Sequence, residues 1–191
     1  TFPGAPKVPA GREAAFAAAL RLLHLVAGVS YYKAGIPASI VVEGEPLDED
    51  SASLADALYL HGLAEFAYRN RLDLRGRIRF PFEGKGGGTA PAIGLPHRSL
   101  LPIGGGKDSV VAVEAVKSIG AEATAVWVGN SPLIAECAAR TGLSTLNISR
   151  ELAPGLFELN RLGAWNGHIP VTAVNSTILA LAAILYGYDS I

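Results

Sequence analysis

This chain of 191 residues has one cysteine, Cys137, so it can form no internal disulfide, and a reducing compartment, the cytoplasm, is expected. Charge is scarce, at 17% of residues, and nearly balanced at a net −1. No run of basic residues is present, which argues against nucleic acid as the main partner. No apolar stretch reaches about 18 residues without a polar interruption, so no membrane-spanning helix and no membrane partner are expected. Two phosphate-binding signatures are missing. A Walker A loop fails because Gly106-Lys107 is followed by Asp108 and the earlier glycine position holds Leu101. The Gly-x-Gly-x-x-Gly dinucleotide fingerprint occurs nowhere. The chain opens on Thr1 and closes just after a helical pattern, and reads as a piece of a longer protein.

Half of the residues are hydrophobic, enough for one α/β core with an appended part. The most telling segment is Gly104-Gly105-Gly106-Lys107-Asp108-Ser109. An apolar run, Ser99 to Ile103, leads into it and a helical pattern leaves it. Three glycines allow positive φ and close backbone approach. The helix behind them aims unpaired N–H groups and a partial positive charge at the same space, an anion cradle suited to a nucleotide phosphate. A bare glycine-rich turn is the alternative. The segment resembles the Ser-Gly-Gly-x-Asp-Ser loop of the ATP pyrophosphatases, which cleave ATP between its α and β phosphates. Gly105, Gly106, Asp108 and Ser109 match, and Gly104 stands where the leading serine belongs.

Periodicity divides the chain into an N-terminal α+β part over 1–83, a Gly/Pro-rich loop or linker over 84–98, and an α/β domain over 99–191, which the resemblance implies is ATP-binding and incomplete at its C-terminus. In the first part, 12–27 has helical spacing through Phe16, Leu20, Leu23 and Val26 or Ala27. Residues 38–43 read as a strand, a helix capped by Ser51 or Ser53 runs to about Asn70, and 75–80 alternates like an exposed strand. Gly84, Gly86, Gly87 and Gly88 read as a flexible loop.

From Ser99 onward the pattern is β-α-β-α-β. Strands are expected at 99–104, 123–128 and 145–148, and helices at 108–119, 132–141 and 170–186. The helix at 108–119 should pack Val110, Val113, Val116 and Ile119 inward. That at 170–186 has Val171, Val174, Ile178, Leu181 and Leu185 on one stripe. The fold class is therefore α/β with a parallel, doubly wound sheet. Ligands of such sheets lie beyond the carboxyl ends of the strands, where the glycine loop, Gly129-Asn130-Ser131 and Ser149-Arg150 would converge.

In this reading the loop N–H groups and the Ser109 hydroxyl hold phosphate, with Lys107 as a point charge. Asp108 is the helix N-cap, or a magnesium ligand through water, or both. Trp127 and Val128 border an adenine pocket or are plain core. Cys137, on a helix, is read as a small buried thiol. In the second cluster, Asn166-Gly167 signals a turn, His168 follows it, and Thr172, Asn175 and Ser176 give the next helix a small polar face.

Four segments together carry a narrower resemblance: Gly28 to Ala34, Leu58 to Asn70, Pro102 to Ser109, and Asn166 to Ala173. Over nearly its whole length the chain looks like the ATP-dependent UDP-N-acetylmuramoyl-L-alanyl-L-glutamate epimerases of bacterial cell-wall synthesis. Members of that family are longer. The resemblance implies a nucleotide-binding domain of the ATP-pyrophosphatase type. It also implies ATP and Mg2+ as cofactors and a small-molecule partner, the UDP-N-acetylmuramoyl dipeptide. The implied reaction inverts the terminal L-glutamate to D-glutamate through an acyl-adenylate, releasing AMP and diphosphate.

On this implication Gly104, Gly105, Gly106, Lys107, Asp108, Ser109, Asn130 and Asn166 bind the nucleotide, with Asp108 toward the metal. Inversion needs an acid and a base on opposite sides of one carbon. His168, His61 and Glu65 are the catalytic candidates, with Tyr31 and Lys33 also titratable. His61 and Glu65 stand four apart, which on one helix puts them on one face. Another adenylating ATP pyrophosphatase and a non-catalytic nucleotide-binding module remain the alternatives.

Overall fold

The computed structural model describes residues 1–86, 88 and 90–191. Gly87, part of the expected glycine-rich loop, lies outside them. The described chain groups into two compact units. The sheet unit takes Thr1–Leu20, Ala92–Glu151 and Asn175–Ile191; the helical unit takes Arg21–Pro91 and Leu152–Val174.

The sheet unit is α/β. Its strands are β1 (Ser99–Pro102), β2 (Ala123–Val128) and β3 (Ser144–Ile148), all parallel in the order β1-β2-β3. Leu101 aligns with Ala125, and Ala125 in turn with Thr145. Helices α5 (Lys107–Ser118) and α6 (Pro132–Arg140) supply the crossovers. Val113 and Ala138 pack with Leu101, Ile103 and Ala125 on one face. Leu100 and Val126 point to the other face and are fully buried as well, as a parallel sheet covered on both sides requires. Tyr188 closes part of that second face, donating its hydroxyl to Thr124 Oγ1 at 2.8 Å. Three strands in sequential order contain no reversal. An isolated parallel bridge pairs Ser190 with Ser99 on the free edge of β1, where the Leu100 N–H donates to Ser190 O at 2.9 Å.

The segment that reaches this edge follows α8 (Val171–Tyr186), and Arg98 holds it there. Gly187, at φ 82°, takes the left-handed position that ends the helix. Arg98 Nε donates to Gly187 O at 2.7 Å and Nη2 to Tyr186 O at 2.6 Å, placing a cation on the terminal carbonyls. Its guanidinium also stacks 4.5 Å from the Tyr188 ring centroid. Arg98→Ala is expected to destabilise the protein by about 1–3 kcal/mol. The check is the shift of the denaturant midpoint of the full-length protein.

The helical unit contains 21–27 of α1 (Glu13–Ala27), then α2 (Val29–Gly35), α3 (Glu49–Gly62), α4 (Ala64–Asn70) and α7 (Pro154–Arg161), which sequence reading missed. Its core is Val29, Tyr32, Tyr59, Leu63, Phe66, Leu74, Ile78 and Phe80 with their neighbours. Tyr59 packs edge-on against Tyr32 and Phe80.

Neither expected strand of the N-terminal part forms. Around 38–43 the alternation is real, with Ile40 and Val42 against the core and Val41 exposed, but among the described residues no strand lies alongside to complete a ladder. Around 75–80, Ile78 and Phe80 are buried, yet the Phe80 N–H donates to the Asp56 carboxylate at 2.7 Å. Asp48, rather than a serine, caps α3, accepting from Ser51 N at 2.7 Å.

The stripe expected on α5 holds only at its centre. Val113 is buried, while Val110 and Ile119 are 60% and 76% exposed. Positions three apart rotate by about 60° per step around an α-helix, so a strict three-residue stripe drifts off the core. The expectation of no membrane-spanning helix rested on unbroken apolar runs, and one helical stretch bears on it by length and composition alone. Glu13–Gly35, read across Gly28, has the length and composition of a membrane span, with mean hydropathy 1.5. Val26, Val29, Tyr32 and Lys33 within it are nevertheless buried in protein.

Candidate functional site

The glycine loop lies at the carboxyl end of β1 and opens α5. Gly105 takes φ 78°, the left-handed turn that glycine makes without strain. Gly106 is the N-cap and carries no side-chain acceptor, so no side chain caps the first N–H groups of α5; that of Ser109 donates back to Gly106 O at 3.1 Å. The Ser109 hydroxyl accepts from Gly104 N–H at 2.9 Å, which closes the loop and leaves its own hydrogen to donate outward. A Cβ on Gly106 would meet nothing within 4 Å, so the space over the loop is open. Lys107 and Asp108 fall in the first turn and are exposed. Asp108 is therefore not the cap: the cap is Gly106, and Asp108 stands two positions after it, inside the first turn. A cleft of about 220 Å³ adjoins the loop, bounded by Gly105, Gly106, Ser109, Val113, Cys137 and Arg140.

Asn130 is exposed beyond the carboxyl end of β2. The turn before it is held by Asn147, a β3 residue that sequence reading missed, whose Nδ2 donates to Gly129 O at 2.8 Å. Trp127 and Cys137 pack partly buried against the sheet core. Among the described residues, no three His, Cys, Asp or Glu side chains gather as a metal site. One carboxylate, Asp108, suits a magnesium ion held mainly by nucleotide phosphates.

The helical unit brings together four residues singled out from sequence. His168 Nδ1 lies 2.7 Å from Glu65 Oε2, across 103 residues of chain. Arg69 Nε donates to the other carboxylate oxygen at 2.8 Å. The hydrogen bond from His168 is the largest cause that holds the Glu65 carboxyl below its usual range, with Arg69 adding to it. A lowered folded-state value means the pair is present at neutral pH and is lost as pH falls through that value. An ionised carboxylate only accepts, so Nδ1 bears the hydrogen of this bond.

Lys33, only 8% exposed, donates from Nζ to Asn166 Oδ1 at 3.0 Å and to Gly167 O at 3.3 Å. Burial pulls its pKa down. Asn166 Oδ1 also accepts from Gly167 N at 2.9 Å, so this side chain braces the turn that presents His168. Gly167 is needed there for space, since a Cβ would sit 2.9 Å from Phe66 Cδ2.

His61 does not join the pair. Leu63 breaks the helix between α3 and α4, so His61 and Glu65 do not share a helical face. Close packing accompanies the break, because a Cβ on Gly62 would lie 2.7 Å from Pro170 Cγ. Tyr31 is 53% exposed.

The profile of the MurL N-terminal domain matches residues 1–191. The chain belongs to the MurL N-terminal domain family. Curated relatives named UDP-N-acetyl-alpha-D-muramoyl-L-alanyl-L-glutamate epimerase are similar to it. That of Xanthomonas oryzae pv. oryzae (strain MAFF 311018) is 56% identical over 190 residues, which is 99% of this chain and 42% of the relative. That of Micromonospora sp. is 43% identical over 169 residues, 87% of this chain and 37% of the relative. Salinispora tropica has one 41% identical over 181 residues, 92% of this chain and 38% of the relative. The chain thus spans about two fifths of the length of these MurL relatives. No solved structure matches it.

Proposed function

We propose that this MurL N-terminal domain is part of an enzyme that epimerises the terminal L-glutamate of UDP-N-acetylmuramoyl-L-alanyl-L-glutamate to D-glutamate, in cytoplasmic synthesis of peptidoglycan precursors. The observation that carries the reading is the His168–Glu65 hydrogen bond, a paired acid–base group presented on a turn braced by Lys33. Relatives bearing the epimerase name support it.

A free carboxylate opposes loss of its neighbouring α-proton, because the carbanion would sit beside a negative charge. Attack of the glutamate α-carboxylate on the α-phosphorus of ATP, with departure of diphosphate, replaces that charge by an acyl-adenylate. The Gly105 to Ser109 backbone and the Ser109 hydroxyl hold the leaving phosphates, and Lys107 offsets their charge. Asp108 would hold Mg2+, which supplies further neutralisation at those phosphates. His168, oriented by Glu65, takes or returns the α-proton on one face of the carbon. Hydrolysis of the adenylate then releases AMP.

The finer fold reading, a doubly wound sheet of the ATP-pyrophosphatase type, is part of the proposal. Pairing of Ser190 with the free edge of β1 supports it, because the chain turns back beside its first strand there. Such a reversal puts a ligand crevice at the carboxyl end of β1, where the glycine loop lies.

Labelled diphosphate should exchange into ATP with the full-length protein only when the dipeptide substrate is present. No exchange under either condition would overturn the adenylating step and leave a nucleotide-binding module, whereas exchange without substrate would mean that the adenylyl acceptor is not the dipeptide.

A further inference from the structure

A second pocket in the helical unit, about 360 Å³ in volume, lies between the ends of α2 and α4 and the turn that carries Trp165. Both non-glycine residues that the described backbone puts at positive φ line it, Ile36 at 45° and Arg71 at 56°. A β-branched residue is rarely found in that region, and such outliers concentrate at ligand clamps. Each ends a helix here: the Ile36 N–H donates to Tyr32 O at 2.7 Å, and that of Arg71 to Tyr68 O at 3.2 Å.

The pocket's charge is cationic. Its one acid, Asp73, gives both oxygens to Arg75, at 2.8 and 2.7 Å, which leaves that carboxylate neutralised. Arg71 and Arg77 form no salt bridge among the described residues. Trp165 supplies a flat apolar surface, 41% exposed, and its backbone N–H is fixed to Ala34 O at 3.2 Å. The Arg77 charge reaches Asp73 and helps hold its carboxyl below the usual range, after Arg75. Two guanidiniums without a salt bridge beside an open indole make a recognisable chemical combination. Guanidinium forks match phosphate oxygens in pairs, and an indole face stacks on a nucleobase.

We infer that this pocket binds a nucleoside diphosphate, with the diphosphate on Arg71 and Arg77 and the base on Trp165. The choice of uridine as the nucleoside rests on the epimerase reading; the charge and the stacking surface do not. Three elements join the pocket to the His168–Glu65 pair. Helix α2 carries Lys33 and ends at Ile36, α4 carries Glu65 and ends at Arg71, and one turn carries Trp165, Asn166 and His168. Glu65 and Arg71 are separated by about 9 Å along the α4 axis at a helical rise of about 1.5 Å per residue. One extended substrate can therefore lie with its nucleotide end in the pocket and its amino-acid end at His168.

The test is calorimetric titration of the full-length protein with UDP, uridine, inorganic diphosphate and ATP, in wild type and in Arg71→Asn, Arg77→Gln and Trp165→Ala. Asparagine tolerates the positive φ of position 71, so that variant removes charge without adding backbone strain. The expected result is UDP affinity at least about tenfold weaker in each arginine variant, the loss expected for a charged hydrogen bond. Trp165→Ala should weaken uridine and UDP but leave diphosphate unchanged, and ATP affinity should stay at the wild-type level throughout. Circular dichroism and melting profiles verify that each variant is folded. UDP affinity equal in wild type and variants overturns the inference, as does absence of UDP binding in wild type or a selective loss of ATP. None of these outcomes bears on α-proton exchange, by which the epimerase reading stands or falls separately.

Discussion

Full-length protein carrying Gly106→Val should lose ATP affinity by at least about a hundredfold while melting at the wild-type temperature. The two halves of that result come from different facts. At φ −90° and ψ 169° the Gly106 backbone is extended and open to any residue, and an added Cβ meets no atom within 4 Å. The fold has no reason to object. A branched side chain there nevertheless fills the space in which phosphate oxygens would meet the Gly106 and Lys107 N–H groups. Gly105→Val makes an informative contrast, because φ 78° strains any side chain and Ile134 Cγ1 lies 3.5 Å from the new Cβ. That variant should lose stability as well as affinity. Unchanged ATP affinity in Gly106→Val, measured by calorimetry, removes the phosphate-loop reading.

The second large effect concerns the reaction. In deuterated water, the full-length protein with ATP and the dipeptide substrate should place deuterium at the glutamate α-carbon and release AMP. Neither should occur without ATP, since only the adenylated carboxyl makes that proton labile. His168→Gln should slow α-deuteration by about 10²–10⁴, the range for removal of a general acid or base. AMP-forming activation should persist, because His168 belongs to the helical unit and the phosphate loop to the sheet unit. Glu65→Gln keeps a hydrogen-bond acceptor but removes the charge that stabilises a protonated imidazole, so its loss should be smaller. Asp108→Asn should depress AMP release and deuteration together. AMP without deuteration in wild type would leave an adenylating enzyme of another kind and remove the epimerase proposal.

How much of this was legible beforehand depends on where the information lay. The glycine loop, β2 and α6 are local features, written in consecutive residues, and the structure has them at the expected places. The extended segments at 38–43 and 75–80 show the limit of periodicity. Alternation correctly reports which side chains face the core, but a strand also needs a neighbour, and Asp56 rather than a strand receives the Phe80 N–H. The His168–Glu65 pair was legible only as two names. Nothing in spacing told that Leu63 would break the helix, separating His61 from Glu65, or that Glu65 would meet a residue 103 positions away. Arg71 and Arg77 left no signal, because isolated arginines near a helix end look like solvated surface until a pocket gathers them.

Arg98 has a consequence for synthesis. It ties the first residues of β1 to carbonyls 88 and 89 positions later, and Ser190 pairs with the edge of the same strand. A ribosome delivers the chain from its N-terminus, so β1, β2 and β3 emerge well before the segment that completes them. During that interval the free edge of β1 is an unpaired row of amide groups, the kind of surface that attracts other strands. Contacts so distant in sequence also close slowly. Until Ser190 arrives, this edge is open to pairing with other strands.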